Sequence, residues 1–294
     1  MPQTLKNQTD SRPTPTIEDY LAVIYVMERD GDEVIAARLA ESLEVAPPTV
    51  TVTLKRMERD GWIAVDPQKG IYLTSTGCEA ASSVIRRHML TEWMLARMLK
   101  VPWSSLHAEA DQIDHSISDE IETQMRLNLD DPQLCPHGNP LPGFEYVAAD
   151  WLPLTGIQPG GHIIIRRIHE TAEDNHELME FLETNGIVPG AHAEVCNVLS
   201  FNQTLCLQLG EKQVSLGFST AKYIFVEMAP DALQRFCQFR NFRKDHRVIS
   251  NCRIPNTGSR CKFLPFIFRF VFPPPLLPRL HMDQYRIHVR DLLP

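Results

Sequence analysis

The sequence predicts a multidomain α+β protein with an N-terminal winged helix-turn-helix, a helical dimerisation domain and a C-terminal SH3-like small β-barrel. Three observations carry this prediction. Two short amphipathic helices are joined by a tight turn, a long stretch of helical periodicity follows, and short apolar strands then alternate with glycine-containing turns. The chain has 294 residues, 43% of them hydrophobic, which is enough for several small domains with their own cores.

The first domain is predicted over residues 16–77, after a polar N-terminus (1–15) that we expect to be disordered. Thr16 is predicted to begin a helix, because Thr16-Ile17-Glu18-Asp19 is close to a capping box. On this pattern alone, the simplest role for Asp19 is to cap that helix.

A helix-turn-helix follows. Apolar residues at helical spacing between Ile35 and Leu43 predict one short helix, and Pro48 suits the first turn of a second helix that ends at Gly61. Residues 62–73 then predict a β-hairpin, which would be the wing.

The second domain is predicted over residues 78–145. Apolar residues recur at helical spacing from Ile85 to Leu99, and the pattern breaks at Val101-Pro102-Trp103. A second helix is predicted from Glu109 to Met125. Long helices with apolar faces that lie outside a DNA-binding domain often form a dimer interface, so we expect a homodimer.

The third domain is predicted over residues 153–228, where four short apolar strands lie at 163–165, 193–195, 205–207 and 223–225, with one helix between Glu177 and Glu183. This pattern is typical of a small β-barrel. The basic stretch 231–294, rich in Phe, Pro and Arg, lacks clean periodicity, so no fold is assigned to it and low order is expected.

Charge and cysteine content narrow the possible functions. The formal net charge is −8, so any contact with DNA must come from a local basic patch. None of the seven cysteines forms a CxxC pair, which argues against a disulfide framework or a zinc ribbon. The N-terminus lacks the apolar stretch of a signal peptide, and the most apolar segment, 263–277, is too short to cross a bilayer. A cytoplasmic protein without membrane contact is expected.

Histidines and carboxylates recur at helical spacing in the second domain. His107, Asp111, Asp114 and His115 are predicted to share one helix face, and the preceding helix offers His88 and Glu92 four residues apart. A solvated acidic face is the ordinary interpretation of one such group, but two adjacent helices that each offer His and carboxylate indicate a cation site. Oxygen and imidazole ligands without thiolate suit Mn(II) or Fe(II). Cys135-Pro136-His137 is interpreted as structural, and His169 and His176 as surface histidines.

The second helix of the helix-turn-helix offers polar and basic side chains for DNA. Its threonines would reach base edges or phosphates, and its Lys and Arg residues suit phosphates. The alternative is a merely solvated face. The candidate DNA-binding residues are Pro48, Thr49, Thr51, Thr53, Lys55, Arg56 and Arg59.

The chain resembles the diphtheria toxin repressor family of iron- and manganese-dependent regulators. Five segments within residues 15–228 carry the resemblance: Glu18-Asp19-Tyr20-Leu21, the PPTVTVTLKRMERDGW stretch from Pro47, Ile85-Arg86-Arg87-His88, the LHAEADQIDHSISDEIE stretch from Leu106, and Cys135-Pro136-His137-Gly138-Asn139-Pro140. The tail after Ala229 has no counterpart in that family.

The resemblance implies two metal sites. The primary site would use Asp19, Asp111, Asp114 and His115, and the ancillary site His88, Glu92, His107, Asp174 and Glu177. Asp at the first two primary positions follows the manganese type, whereas Ala22 stands where that type has a second carboxylate. The ancillary site and the three-domain layout resemble the iron type, so the metal is left as Mn(II) or Fe(II).

The function expected from these observations is a metal-dependent repressor of Mn/Fe homeostasis genes that is not an enzyme. The metal would link the DNA-binding and dimerisation domains, and a homodimer would bind a palindromic operator in double-stranded DNA. Two alternatives stay open. One is a metal-independent winged-helix regulator whose β domain binds a peptide, and the other is a metal-dependent hydrolase, although no substrate-binding loop is evident.

Overall fold

The computed structural model describes residues 12–66 and 70–230. The prediction for the tail 231–294 and that for residues 1–11 lie outside these ranges. The helices are α1 (Pro15–Asp30), α2 (Ala36–Ser42), α3 (Pro47–Arg59), α4 (Ser75–Met94), α5 (Leu106–Asp111), α6 (Asp119–Asn128), α7 (Glu170–Glu173), α8 (His176–Thr184) and α9 (Phe218–Ala221). The strands are β1 (Ile63–Asp66), β2 (Gly70–Leu73), β3 (Leu152–Pro153), β4 (His162–Ile168), β5 (His192–Leu199), β6 (Thr204–Leu209), β7 (Lys212–Gly217) and β8 (Ile224–Met228).

The first helix, α1, begins one residue earlier than predicted, and no capping box forms at its N-terminus. Its N-cap is Thr14, which makes no side-chain cap, and Pro15 occupies the first turn, where its missing N–H costs nothing. Asp19 is therefore free of a capping role. Disorder up to residue 15 is also wrong for its last part, because Arg12 pairs with Glu18 at 3.1 Å.

Helices α1 to α3 and the antiparallel hairpin β1–β2 form a winged helix-turn-helix head, as predicted. One apolar face of each helix meets a common core that includes Leu21, Ile24, Leu39, Met57 and Ile63, all of them at most 2% exposed. Burial of each such side chain stabilises the fold by about 1.5–3 kcal/mol. This core holds α3 at the surface of the head.

The helical domain differs from the sequence prediction in one important respect. A single helix from Glu109 to Met125 is wrong: α5 ends at Asp111, a 3₁₀ turn spans Asp114–Ser116, and α6 starts after the N-cap Ser118, whose hydroxyl accepts a hydrogen bond from the Ile121 amide. His107 and Asp111 therefore share a helix with each other but not with Asp114 and His115. The break predicted at residues 101–103 is confirmed, since a π-helical turn ends at Leu99. Helix α4 spans the predicted domain limit at residues 77 and 78.

The β domain is a six-stranded antiparallel sheet with strand order β3-β8-β4-β5-β6-β7. All four predicted strands are present, and β7, which the sequence analysis missed, pairs with β6 over six residues. Helix α8 covers the core with Met179 and Leu182, both fully buried. The predicted α+β class with a small β-barrel is confirmed.

No helix in the described ranges is both long enough and apolar enough to cross a lipid bilayer.

Candidate metal centre

A cavity of about 570 Å³ lies where α1, α4, α5 and α7 come together. Carboxylates and imidazoles from the head, the helical domain and the β domain line it. We divide the polar groups that line the cavity, together with the adjacent His137, into a primary cluster (Asp19, Asp111, Asp114 and His115), an inner cluster (Glu92, Cys135, His137 and Glu173) and two bridging histidines (His88 and His107).

The primary cluster joins the head to the helical domain. Nε2 of His115 lies 3.4 Å from Oδ1 of Asp19, and Nδ1 of His115 lies 3.6 Å from Oδ1 of Asp114. Burial raises the pKa of Asp19, and the neighbouring carboxylates of Asp111 and Asp114 raise it further, against the opposing effect of His115. Three carboxylates in one partly buried place repel one another, and a cation would relieve this repulsion.

Glu18, which was not predicted as a residue of the metal site, orients His115. It is 1% exposed, and its Oε2 accepts a hydrogen bond from Nδ1 of His115 at 2.7 Å. Its other oxygen pairs with Arg87 at 2.7 Å. A carboxylate that holds one ring nitrogen in this way leaves the other nitrogen available as a ligand.

His88 connects the primary cluster to the rest of the site. Its Nδ1 lies 3.0 Å from Asp114 and 3.2 Å from Asp111, and its Nε2 lies 2.9 Å from Nδ1 of His107. Burial lowers the pKa of His88, but its hydrogen bonds with Asp111 and Asp114 outweigh burial and leave the pKa well above its ordinary value. With the exception of Glu177, the residues assigned to two separate sites by resemblance therefore lie in one continuous group.

Within the inner cluster, Glu92 was expected from sequence as a metal ligand, whereas Cys135, His137 and Glu173 were not. Glu92 and His137 are fully buried, and Nδ1 of His137 lies 3.2 Å from Glu92 and 3.3 Å from Glu173. Both oxygens of Glu92 and Nδ1 of His137 lack a hydrogen-bond partner within the described residues, because these short contacts do not have hydrogen-bond geometry. Buried polar atoms without partners are costly, so their convergence indicates a place for a ligand.

The geometry of His137 fits that of a metal ligand. Its Nε2 lies 3.1 Å from the Trp103 carbonyl oxygen, and donation to that oxygen leaves the Nδ1 lone pair facing Glu92 and Glu173. Ligand atoms of Glu92, Cys135 and His137 all lie within 4.8 Å of one another. Burial raises the pKa of the Cys135 thiol to about 12, so this sulfur becomes a strong ligand only when a cation displaces its proton.

A glycine positions Cys135 and His137 against the β domain. Gly138 has a φ of 90°, and a Cβ at this position would lie 1.9 Å from the Arg166 carbonyl oxygen on β4. The backbone of the loop therefore packs directly on the strand, and Ile168 N donates to His137 O at 2.9 Å. The interpretation of Cys135-Pro136-His137 as structural omits this contribution to the cavity.

The two ancillary residues expected from the β domain differ in position. Asp174 lies 3.2 Å from Nε2 of His107, whereas Glu177 is exposed on α8 and does not line the cavity. Glu173 takes the inner place instead, since it is 4% exposed and lies 3.0 Å from Nδ1 of His107. Spacing within the sequence gave no signal for Glu173, whereas the Cys-x-His pattern was a signal for Cys135 and His137.

The candidate DNA-binding residues lie on α3. All of them are exposed except Thr53, which is half-buried, and the Thr51 hydroxyl donates back to the Pro47 carbonyl at 3.0 Å. Arg59 pairs with Asp60 at 2.8 Å. Val52, which the sequence analysis placed with no site, is 69% exposed three residues after Thr49 on the same face. An exposed apolar side chain beside a threonine suits contact with a thymine methyl group.

A reading head that shares a cavity of carboxylates and imidazoles with a helical domain defines a class of protein, the metal-responsive DNA-binding regulator. The profile described as "Iron dependent repressor, N-terminal DNA binding domain" matches residues 13–71. The profile "Iron dependent repressor, metal binding and dimerisation domain" matches residues 74–143, and the FeoA domain profile matches 152–228. The chain belongs to the iron-dependent repressor family, which includes the diphtheria toxin repressor.

Curated relatives and solved structures agree with this family. The iron-dependent repressor IdeR of Mycobacterium leprae is 33% identical over 223 residues, covering 72% of this chain and 96% of that protein. The diphtheria toxin repressor of Corynebacterium efficiens is 35% identical over 191 residues, covering 62% and 83%. A manganese-dependent transcriptional repressor in complex with manganese is 25% identical, with a TM-score of 0.64 over 72% of this chain and 100% of that one.

Proposed function

We propose that this protein is a transcriptional repressor that requires Mn(II) or Fe(II) to bind its operator, and that Asp19, Asp111, Asp114 and His115 hold the ion. The observation that carries the proposal is the position of Asp19. It comes from α1 of the head and faces His115 of the helical domain across the cavity. A divalent ion bound there would neutralise the clustered carboxylates and hold the two domains together.

Metal binding matters to DNA because α1 and α3 share one core. Leu21 and Ile24 of α1 pack in the same buried group as Val50 and Met57 of α3, so α1 and α3 move as one body. Ligands on both sides of the domain junction favour the arrangement in which Asp19 meets His115. An ion that binds this arrangement better than any other shifts the population towards it, and the orientation of α3 follows.

A second metal position is proposed at Glu92, Cys135, His137 and Glu173, with His107 and Asp174 at its edge. Its support is the set of buried atoms on Glu92 and His137 that lack a hydrogen-bond partner within the described residues. Oxygen, imidazole and one thiolate form a softer ligand set than that of the primary cluster, which favours Fe(II) over Mn(II) at this position. Glu177 is left out of the ligand set because it is exposed away from the cavity.

The operator is proposed to be a palindrome that a homodimer reads. Exposed apolar side chains on the helical domain, among them Met98, Leu99 and Leu127, each at least 65% exposed, offer a surface for the second copy. Two α3 helices related by a twofold axis would enter successive major grooves, about 34 Å apart. Thr49 and Val52 would read bases, and Lys55 and Arg56 would contact phosphates. Because it would act on chromosomal DNA, the protein is proposed to work in the cytoplasm, as a regulator and not as an enzyme.

A gel shift on the gene's own promoter region tests the proposal. Operator binding is titrated with Mn(II), Fe(II) and chelator for the unsubstituted protein, for Asp114→Ala and for Glu109→Ala. Glu109 is an exposed carboxylate on α5 that does not line the cavity, so it is the matched control. The unsubstituted protein and Glu109→Ala are expected to bind the operator only when metal is present. Asp114→Ala is expected to require a metal concentration at least about tenfold higher for the same operator binding. Binding that survives chelator would instead favour the metal-independent regulator.

A further inference from the structure

A chain of buried polar side chains connects the inner cluster to the last residue of α1. It runs from Glu173 through Asn139 and Arg167 to Asp30. Asn139 is fully buried and Arg167 is 5% exposed, and both lie outside the proposed ligand set. We propose that Asn139 and Arg167 are positioning residues that couple metal binding at the inner cluster to docking of the β domain on the DNA-binding head.

The first link fixes the Glu173 carboxylate. Nδ2 of Asn139 donates to Oε1 of Glu173 at 2.5 Å and to the Ile168 carbonyl at 2.7 Å, so both amide hydrogens are used. The other oxygen of Glu173 is then held towards the bridging His107 at 3.0 Å and towards His137 at 3.3 Å. Asn139 thus sets which Glu173 oxygen faces the cluster.

The second link carries this arrangement to the head. Nε of Arg167 donates to Oδ1 of Asn139, and its Nη2 donates to Asp30 and to Glu170, each at 2.9 Å. The guanidinium is a rigid fork, so its bonds to Asn139 and to Asp30 cannot be adjusted independently. Asp30 also pairs with His169 at 2.7 Å, which makes the interpretation of His169 as an ordinary surface histidine wrong.

Two guanidinium groups occupy the carboxylate and imidazole group formed by Asp30, His169 and Glu170. Arg29 and Arg167 both donate to Glu170, and Arg167 donates to Asp30. This group has the residue types of a cation site, but protein cations already neutralise it. These ion pairs therefore hold the head and the β domain together. We call the connected series Glu173, Asn139, Arg167 and Asp30 the relay, and its inner-cluster end is the part that is open to a metal ion.

The relay rests on the proposed function, since it couples the proposed inner metal position to the head. Asp19 and Asp30 lie on the same helix, about 16 Å apart at 1.5 Å per residue. One end of α1 thus meets the primary cluster and the other end meets the relay. Because coupling is reciprocal, the factor by which metal strengthens docking equals the factor by which docking strengthens metal binding at the inner cluster. A weaker contact at Asp30 is therefore expected to weaken metal binding there.

Co(II) titration of the full chain provides the test. A Co(II)–thiolate absorption band reports binding at the inner cluster, because Cys135 is the buried cysteine among those described. Cys135→Ser should abolish the band and so identify it. Binding at the primary cluster, which has no thiolate, is followed by competition with a fluorescent indicator in the same samples.

Asp30→Ala is expected to weaken the thiolate-reported Co(II) affinity about fivefold or more while primary-cluster affinity stays unchanged. Asp32→Ala is the matched control, because it removes a nearby carboxylate whose partner, Arg38, is exposed. Asp30→Asn keeps the size of the side chain, and its thiolate-reported Co(II) affinity should lie between that of Asp30→Ala and that of the unsubstituted protein. Its unfolding temperature shows whether a loss of affinity reflects a loss of fold.

Two outcomes would overturn the relay. One is an Asp30→Ala affinity equal to that of the unsubstituted protein, and the other is the absence of any thiolate band. By contrast, a different result would support the relay and refute the proposed function: Asp30→Ala lowers the thiolate-reported Co(II) affinity, but operator binding does not depend on metal.

Discussion

Replacement of Glu170 by Gln should reduce the acid sensitivity of the contact between the head and the β domain. Oε1 of Glu170 pairs with Arg29 at 2.7 Å, and Oε2 accepts from Arg167 at 2.9 Å. Burial raises the pKa of Glu170, but the two guanidinium charges outweigh it and lower the pKa from 4.5 to about 2. The side chain is only 16% exposed, so solvent screens these charges weakly.

A shift of this size corresponds to about 3 kcal/mol of stability near neutral pH. Because the pKa is lowered in the folded state, the contribution is complete above the unfolded value of 4.5 and is lost as pH falls towards about 2. Glu170→Gln should therefore be about 3 kcal/mol less stable at pH 7, and its deficit should shrink steadily below pH 4.5.

Urea denaturation at a series of pH values, followed by tryptophan fluorescence, measures this difference. Asp32→Asn is the control, because its pair with Arg38 is exposed and contributes at most about 1 kcal/mol. If the unsubstituted protein and Glu170→Gln lose the same free energy of unfolding between pH 5 and pH 3, Glu170 is not the buried ion-pair partner of the two arginines.

Three further predictions follow from the site. Gly138→Ala should displace the loop that carries Cys135, because the new Cβ would lie 1.9 Å from a backbone oxygen. Co(II) titration of this variant should show no thiolate band, and an intact band would contradict the close packing of the loop on β4. Metal binding should release protons and strengthen as pH rises. Hydrogen bonds with Asp111 and Asp114 raise the pKa of His88 well above its ordinary value, and a cation held by these carboxylates would displace the His88 proton. Proton uptake in weakly buffered solution would contradict this. Thr49→Ala should weaken operator binding by about 1–3 kcal/mol with unchanged metal affinity, measured by gel shift and calorimetry; a change in metal affinity would contradict its role at the DNA surface.

Local patterns predicted the head well because its core is built from residues close in sequence. The spacing of Leu21 and Ile24 on α1 and the position of Pro48 near the start of α3 were enough to place both helices. The β7 strand was missed because only Val214 and Leu216 are buried in it, with the exposed Ser215 between them.

The helical prediction was least accurate between residues 112 and 118. Apolar residues at 113, 117 and 121 continue a helical spacing across the break, so periodicity alone joins α5 to α6. Ser118 is the N-cap of α6 and was a readable sign of a new helix. The break matters because it turns Asp114 and His115 towards α1 of the head.

The candidate site was partly accessible from sequence. His88 and Glu92 share a face of α4, a relation that spacing expresses directly. Glu173 contacts His107 from the β domain, 66 residues further along the chain, and no local pattern encodes that pairing. Asp30 and Arg167 were missed for the same reason, since each has ordinary surface chemistry until the fold brings them to 2.9 Å.

The most direct test of metal linkage between the head and the helical domain is the metal affinity of the protein with and without operator DNA. Calorimetric titration of Mn(II) into the free dimer and into the operator complex measures both values. Linkage through Asp19 predicts that operator DNA tightens Mn(II) binding by about 5- to 150-fold, and that Asp19→Ala abolishes this difference. Equal Mn(II) affinities in the free and DNA-bound protein would contradict the proposal that the ion couples the cavity to α3.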